Sequence, residues 1–320
     1  MYLYYFNSYS LVVWNNIFTG SISKFVFCID VPVFMFIAGI SYNYIESIGK
    51  NIKGILKQWN KWVYFLFFYI VILFIFFRPY LHRTQLINYI FYKVPHSGPL
   101  QVVGGSLWFI PIYIKVTIFC SIILHFYNQN KTFHFKYLLM LMLLLSVCNV
   151  AFVDSYLAIY SFVYLLGYYS FNNKINSKKL FLVLEIFMCL AIIFVFKLSG
   201  YGLRDIQKLK FAPTIYYLLI SMPGIIMFWF LKDKLKISKN NPMNYVGKNA
   251  IFFYYSQGLS ASILYFIEPL ISIKYIYIKF LIMAFINIIM AIVMGILFNE
   301  SYNFSVKKLL PIKDKLLNIK

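Results

Sequence analysis

Apolar runs of about twenty residues alternate along this chain with short segments holding most of the lysine and arginine. The clearest run is GSLWFIPIYIKVTIFCSIILHFY, Gly105 to Tyr127, broken by one lysine, Lys115. It is too long for an ordinary core helix and long enough to cross a bilayer. Its opening tryptophan, Trp108, suits a membrane interface, where an amphipathic ring keeps one end wet. Other runs cover Met1 to Phe18, about Ile22 to Ile45, Trp62 to Phe77, Phe135 to Val153 and Ser155 to Phe171. Leu180 to about Phe196, Ala212 to Leu231, Asn249 to Ile271 and Ile276 to Phe298 complete the set. The pattern predicts an all-α polytopic membrane protein of about ten transmembrane helices in a single membrane-embedded domain, residues 1–320. Two connections stand out: a basic segment, Glu46 to Lys61, and the longest loop, Arg78 to Gly104. No internal repeat is evident.

Composition agrees with the pattern. Hydrophobic residues make up 62% and charged residues 12%, well away from the balance of a soluble domain. The net charge is +21. On a soluble protein that would suggest nucleic acid. Here the lysines lie between apolar runs, where they set topology and meet anionic headgroups, so no nucleic-acid partner is expected. With the N-terminus in the cytoplasm, cytoplasmic segments hold 19 of the 30 basic residues and outer segments 9. That bias predicts both termini cytoplasmic. Cys28, Cys120, Cys148 and Cys189 are scattered singly, so neither a metal site nor a disulfide framework is expected. Met1-Tyr-Leu-Tyr-Tyr lacks the basic start of a signal peptide.

Polar groups inside hydrocarbon are costly and therefore informative. Asp30 lies in the second run just before Val31-Pro32, where a break could open a cavity. The bland alternative is an interfacial pairing with Lys24. Glu185 and Glu268 lie near run ends, where headgroups can reach them. The four histidines, His82, His96, His125 and His134, all fall outside mid-run positions. A loop histidine is usually only solvated, and His96 is the one weighed as a base. The lysines of segment 46–61 have two readings. They anchor the chain on anionic lipid, or they clamp the phosphates of a cytosolic donor such as an acyl-coenzyme A, each lysine as a point charge.

Four segments carry a family resemblance: VPVFMFIAGISY (Val31 to Tyr42), GSLWFIP (Gly105 to Pro111), KFAPTIYYLL (Lys210 to Leu219) and YVGKNAIFFYYSQ (Tyr245 to Gln257). In order and spacing they resemble the acyltransferase-3 family, integral membrane enzymes that O-acylate sugars of surface polysaccharides. The resemblance covers nearly the whole chain. It implies acyl-coenzyme A, most simply acetyl-coenzyme A, as co-substrate with no bound cofactor. It also implies a lipid-linked or nascent polysaccharide as acceptor, and a place in the bacterial inner membrane. Lys53, Lys57 and Lys61 stand where the family holds the donor. Asn7, Asp30 and Gln257 are the candidate catalytic positions, and Trp108, Tyr216 and Tyr217 the candidate acceptor contacts. The sequence departs from the family at telling places. Asn7 is nearest to the family's first-span histidine, lysines replace an arginine pair, and Gln257 replaces a closing histidine. Asparagine and glutamine orient and hydrogen-bond but do not act as bases near neutral pH. The family's basic–aspartate stretch ahead of the first span is also missing, which fits either a frame that starts upstream or a diverged branch.

The reading that follows is a membrane O-acyltransferase. Two alternatives accompany it: a non-catalytic relative serving polysaccharide export or assembly, and an O-antigen polymerase or flippase. A polymerase would carry a large outer loop with several arginines, whereas the longest loop holds only Arg78 and Arg83.

Overall fold

A computed structural model describes residues 31–45, 47–78, 86–91, 100–129, 134–148, 155–175, 177–200, 213–232, 234, 241–273 and 275–317. All regular structure among them is helical. The chain order is α1 (Val31–Tyr42), α2 (Ile48–Phe76), α3 (Leu86–Ile90), α4 (Gln101–Ser106), α5 (Phe109–Gln129) and α6 (Phe135–Cys148). Then come α7 (Ser155–Asn172), α8 (Lys178–Ser199), α9 (Ile215–Leu231), α10 (Pro242–Lys248), α11 (Ala250–Ile267), a 3-10 turn η1 (Glu268–Leu270) and α12 (Ile276–Leu317). Five described stretches are long and apolar enough to cross a membrane: Ile48–Phe76, Gln101–Gln129, Lys178–Ser199, Ala250–Leu270 and Ile278–Lys308. The run from Met1 to Phe18 lies outside the described residues.

Local sequence explains several helix ends. Ser177 caps α8 by accepting the Leu180 N–H at 3.3 Å, and Gly200 ends it at φ 68°, a left-handed conformation that glycine adopts without steric cost. Thr214 caps α9 by accepting the Tyr217 N–H at 3.5 Å.

The helices gather into two compact units. One comprises residues up to Lys53 and Ile112–Lys236; the other comprises Gly54–Pro111 and residues from Ile237 onward. In the first unit α7 is central: α1, α6 and α9 pack on it, and α8 packs on α9. Ten of its eighteen residues are buried, which suits a helix surrounded by protein rather than lipid. Glycines set the α1–α7 contact. A Cβ on Gly39 would overlap the Tyr164 carbonyl, and one on Gly167 would overlap the Phe36 carbonyl. Close backbone approach through small residues is a membrane-helix packing device. In the second unit α11 packs on α12 and on α4. The span of Glu268 and that of Lys279 meet in an ion pair between these two side chains, both about three-quarters buried.

Two sequence expectations change here. The basic segment Glu46 to Lys61 is no connection: from Ile48 it is helical and runs unbroken into the following span as α2, 29 residues long. Its residues favour helix, and no proline or capping signal stops it. Likewise the loop Arg78 to Gly104 contains helical turns. The Tyr89 and Ile90 carbonyls accept the Trp62 indole N–H at 3.0 and 3.2 Å, and Ile90 also accepts that of Trp59 at 3.2 Å. Trp62 is about 21 Å along α2 from Phe76, at 1.5 Å per residue. After leaving that end of α2, the chain therefore folds back along the helix. Tyr89, fully buried, anchors the return. The tryptophan N–H groups satisfy carbonyls that a short helix leaves open at its end.

Candidate functional site

The site is built around Lys61 on α2. This lysine is only 8% exposed. Its ammonium nitrogen lies 5.0 Å from the centroid of the Phe252 ring on α11 and 6.0 Å from that of Tyr302 on α12. Among the described residues no carboxylate pairs with it. Aromatic faces attract a cation by about 0.5–2 kcal/mol each, well short of what its hydration supplied. A buried ammonium held only by ring faces keeps its capacity to bind an anion.

Lys61 belongs to a stripe. At about 100° per residue, Lys50 and Lys57 fall within about 40° of Lys61 around α2, and Lys53 flanks them at about 80°. The exposed apolar residues along the lysine-bearing part of α2, Ile52, Leu56, Val63 and Phe67, lie about 120–180° round from Lys61, whereas Ile75 and Phe76 at the far end are exposed about 40–60° from it. Thus over residues 50–67 the exposed apolar face of α2 is not its lysine face. Lys53 and Lys57 are exposed while Lys61 is sunk, so the stripe passes from an exposed end to a covered one.

Four consecutive residues of α12 contact α2, α10 and α11, and one of them, Tyr302, faces Lys61. The Tyr302 ring packs on Tyr64 and Phe252 with centroids 5.3 and 5.5 Å apart. The Tyr64 hydroxyl donates to the Ser301 Oγ at 2.9 Å. The Tyr245 hydroxyl on α10 donates to Glu300 Oε1 at 2.9 Å and accepts from Asn299 Nδ2 at 2.9 Å. Asn299 also donates to Glu300 Oε1 at 3.3 Å. Desolvation, and then the neighbouring carboxylate, push the Tyr245 phenol above its ordinary value, so it stays a donor at neutral pH. Below lies an aromatic layer of Trp62, Phe65, Tyr255 and Phe298, with ring centroids 5.0–5.7 Å apart in the contacts that link them.

The other expected positions distribute as follows. Lys53, Lys57 and Lys61 share α2. Gln257 is exposed on α11. Trp108 is half-buried in the turn between α4 and α5. Tyr216 is half-buried and Tyr217 fully buried in the first turn of α9. Asn7 and Asp30 lie outside the described residues, as do His82, His96 and Lys24. His125, exposed, stands 3.0 Å from Gln129 on its own helix. Of the four resembling segments, the structure brings the second and fourth together: the Tyr254 hydroxyl donates to the Ser106 carbonyl, and Gly258 packs directly on Val103 and Ser106. The first lies on α1, which packs on α9, the helix on which the third segment ends. Residues 299–302 were not singled out from sequence. The one signal was Glu300, an acid closing an otherwise apolar run.

A family model described as an acyltransferase domain, that of the acyltransferase-3 family, matches residues 1–300. This chain belongs to the acyltransferase-3 family. Neither curated proteins nor solved structures give a match. Membership makes it one of a family of multi-pass membrane acyltransferases, and all four resembling segments lie within the matched residues.

Proposed function

We propose that this chain moves an acetyl group from cytosolic acetyl-coenzyme A to a sugar hydroxyl of a bacterial surface polysaccharide, in the inner membrane. The observation that carries the reading is the lysine face of α2. Were these lysines only an anchor on anionic lipid, they would share the side of the helix that carries Ile52, Leu56, Val63 and Phe67. They instead turn away from it, and the innermost, Lys61, rests on Phe252 and Tyr302. Coenzyme A carries phosphates that complement such a stripe, with lysines acting as point charges along it.

In the transfer, the sugar oxygen attacks the thioester carbonyl. The C–S bond breaks, a C–O ester bond forms, and the hydroxyl proton ends on the departing coenzyme A thiol. A sugar hydroxyl is a weak nucleophile at neutral pH, so a positioned base speeds the step. Of Asn7, Asp30 and Gln257, only Asp30 can take a proton. We assign it that role, with Asn7 and Gln257 orienting the reacting groups, Trp108 and Tyr216 contacting the acceptor, and the buried Tyr217 backing Tyr216 from the same turn.

The test is genetic and chemical. The gene is deleted, the strain is complemented with this 320-residue frame, and proton NMR of purified surface polysaccharide is recorded. Acetyl methyl signals that vanish on deletion and return on complementation support the reading. Signals that never change overturn it. A change in polysaccharide amount or length at constant acetyl content would point to the assembly role, which the missing family histidines also favour.

A further inference from the structure

Lys61 is held from the side by a stretch that none of the four resembling segments includes. Residues Asn299, Glu300, Ser301 and Tyr302 make one turn of α12, and each of the four is used. Asn299 and Glu300 hold α10 through the Tyr245 hydroxyl. Ser301 accepts from Tyr64, one turn beyond Lys61 on α2. Tyr302 lays its ring toward the Lys61 ammonium and against Phe252. The turn therefore ties α2 and α10 to α12, with its Tyr302 ring toward the Lys61 ammonium and α11 packed alongside. A lysine has four rotatable bonds and would otherwise sample many positions. Two adjoining ring faces, Phe252 and Tyr302, limit where its charge stands before any anion arrives, and preorganisation of this kind appears as affinity.

We infer that Tyr302 is a positioning residue for donor binding: its ring face holds the Lys61 ammonium in place for a phosphate of coenzyme A. This rests on the donor-binding reading of Lys61 given above. It goes beyond that reading by assigning the role to α12, and to a ring rather than to a charge.

The experiment uses the full chain purified in detergent, with coenzyme A as the probe. It records two quantities, the Kd for coenzyme A and the melting temperature without ligand. Tyr302→Leu and Tyr302→Met remove the ring face with side chains of different shape. Each is expected to weaken binding roughly three- to tenfold, the range of a cation–π contact, with the ligand-free melting temperature held within a few degrees. Tyr302→Phe keeps the face and is expected to recover affinity to within about twofold. Lys61→Ala is run alongside and is expected to lose most binding. Loss of affinity in the phenylalanine variant equal to that in the other two assigns the effect to the hydroxyl and overturns the inference. So does unchanged affinity in the leucine and methionine variants while Lys61→Ala is defective. Unchanged affinity in Lys61→Ala removes the donor-binding reading itself.

Discussion

Single side chains decide the chemistry available at this site, and Lys61 is the most constrained of them. Lys53 and Lys57 are exposed on the same helix. Lys61 has surrendered its water for the rings of Phe252 and Tyr302. Burial without a carboxylate makes it the position where an anion gains most and where removal costs most. Glycines are the other residues that tolerate no change, and only where backbones meet. Gly39→Ala forces a methyl group into the Tyr164 carbonyl. The expected loss is about 1–3 kcal/mol, as for other overpacked sites. Gly54 lies on exposed α2 with open space around a Cβ, so Gly54→Ala should gain up to about 1 kcal/mol of helix propensity. Thermal unfolding of the two variants in detergent checks both signs. A Gly39→Ala protein as stable as the parent would rule out the close α1–α7 packing.

At the scale of the element, α2 joins what the sequence separates. Read alone, residues 46–61 are a basic connection and residues 62–77 a span. The structure makes one helix of both, so the lysine face and the apolar stripe hold a fixed angle to each other. Position around the helix should therefore matter more than the number of charges. Lys57→Ala together with Lys61→Ala is expected to abolish polysaccharide acetylation at normal protein levels. Adding Leu56→Lys to that pair restores one positive charge on the opposite face and is expected to rescue nothing. Recovery of acetyl signals in the triple variant would show that net charge suffices. The hairpin of α11, η1 and α12 offers a second element-scale prediction. Glu268→Gln leaves Lys279 without its anion at a partly buried site, a loss of about 1 kcal/mol once solvent access is allowed for. Adding Lys279→Met should recover most of it. A double-mutant cycle on thermal unfolding measures the coupling.

For the whole molecule, the distribution of basic residues makes a prediction about sidedness. With both termini cytoplasmic, green fluorescent protein fused after Lys320 should fluoresce and alkaline phosphatase at the same point should be inactive. An active phosphatase fusion would invert the orientation and remove a cytosolic donor from reach of Lys61. The scale of the molecule is also where the folding-back of α3 matters. Trp59 and Trp62 draw the Tyr89 and Ile90 carbonyls to their own level on α2. Carbonyls laid along a span in this way are satisfied by the indole N–H groups.

What the sequence determined by itself follows from length and transfer free energy. Runs near twenty apolar residues must be helical in hydrocarbon, because only a helix satisfies its own backbone there. The family was legible as well, since short segments in fixed order survive drift in the residues between them. The lysines after the second run were identifiable as a group for the same reason. Tertiary structure alone decided which lysine is buried, because burial depends on what packs beside α2, and Phe252 and Tyr302 are remote from it in sequence. It also decided that residues 299–302 form the turn that contacts α2, α10 and α11, and that a segment read as a loop lies against α2. Hydrophobic periodicity records whether a residue faces lipid or protein. It does not record which distant ring, carbonyl or hydroxyl will be waiting there.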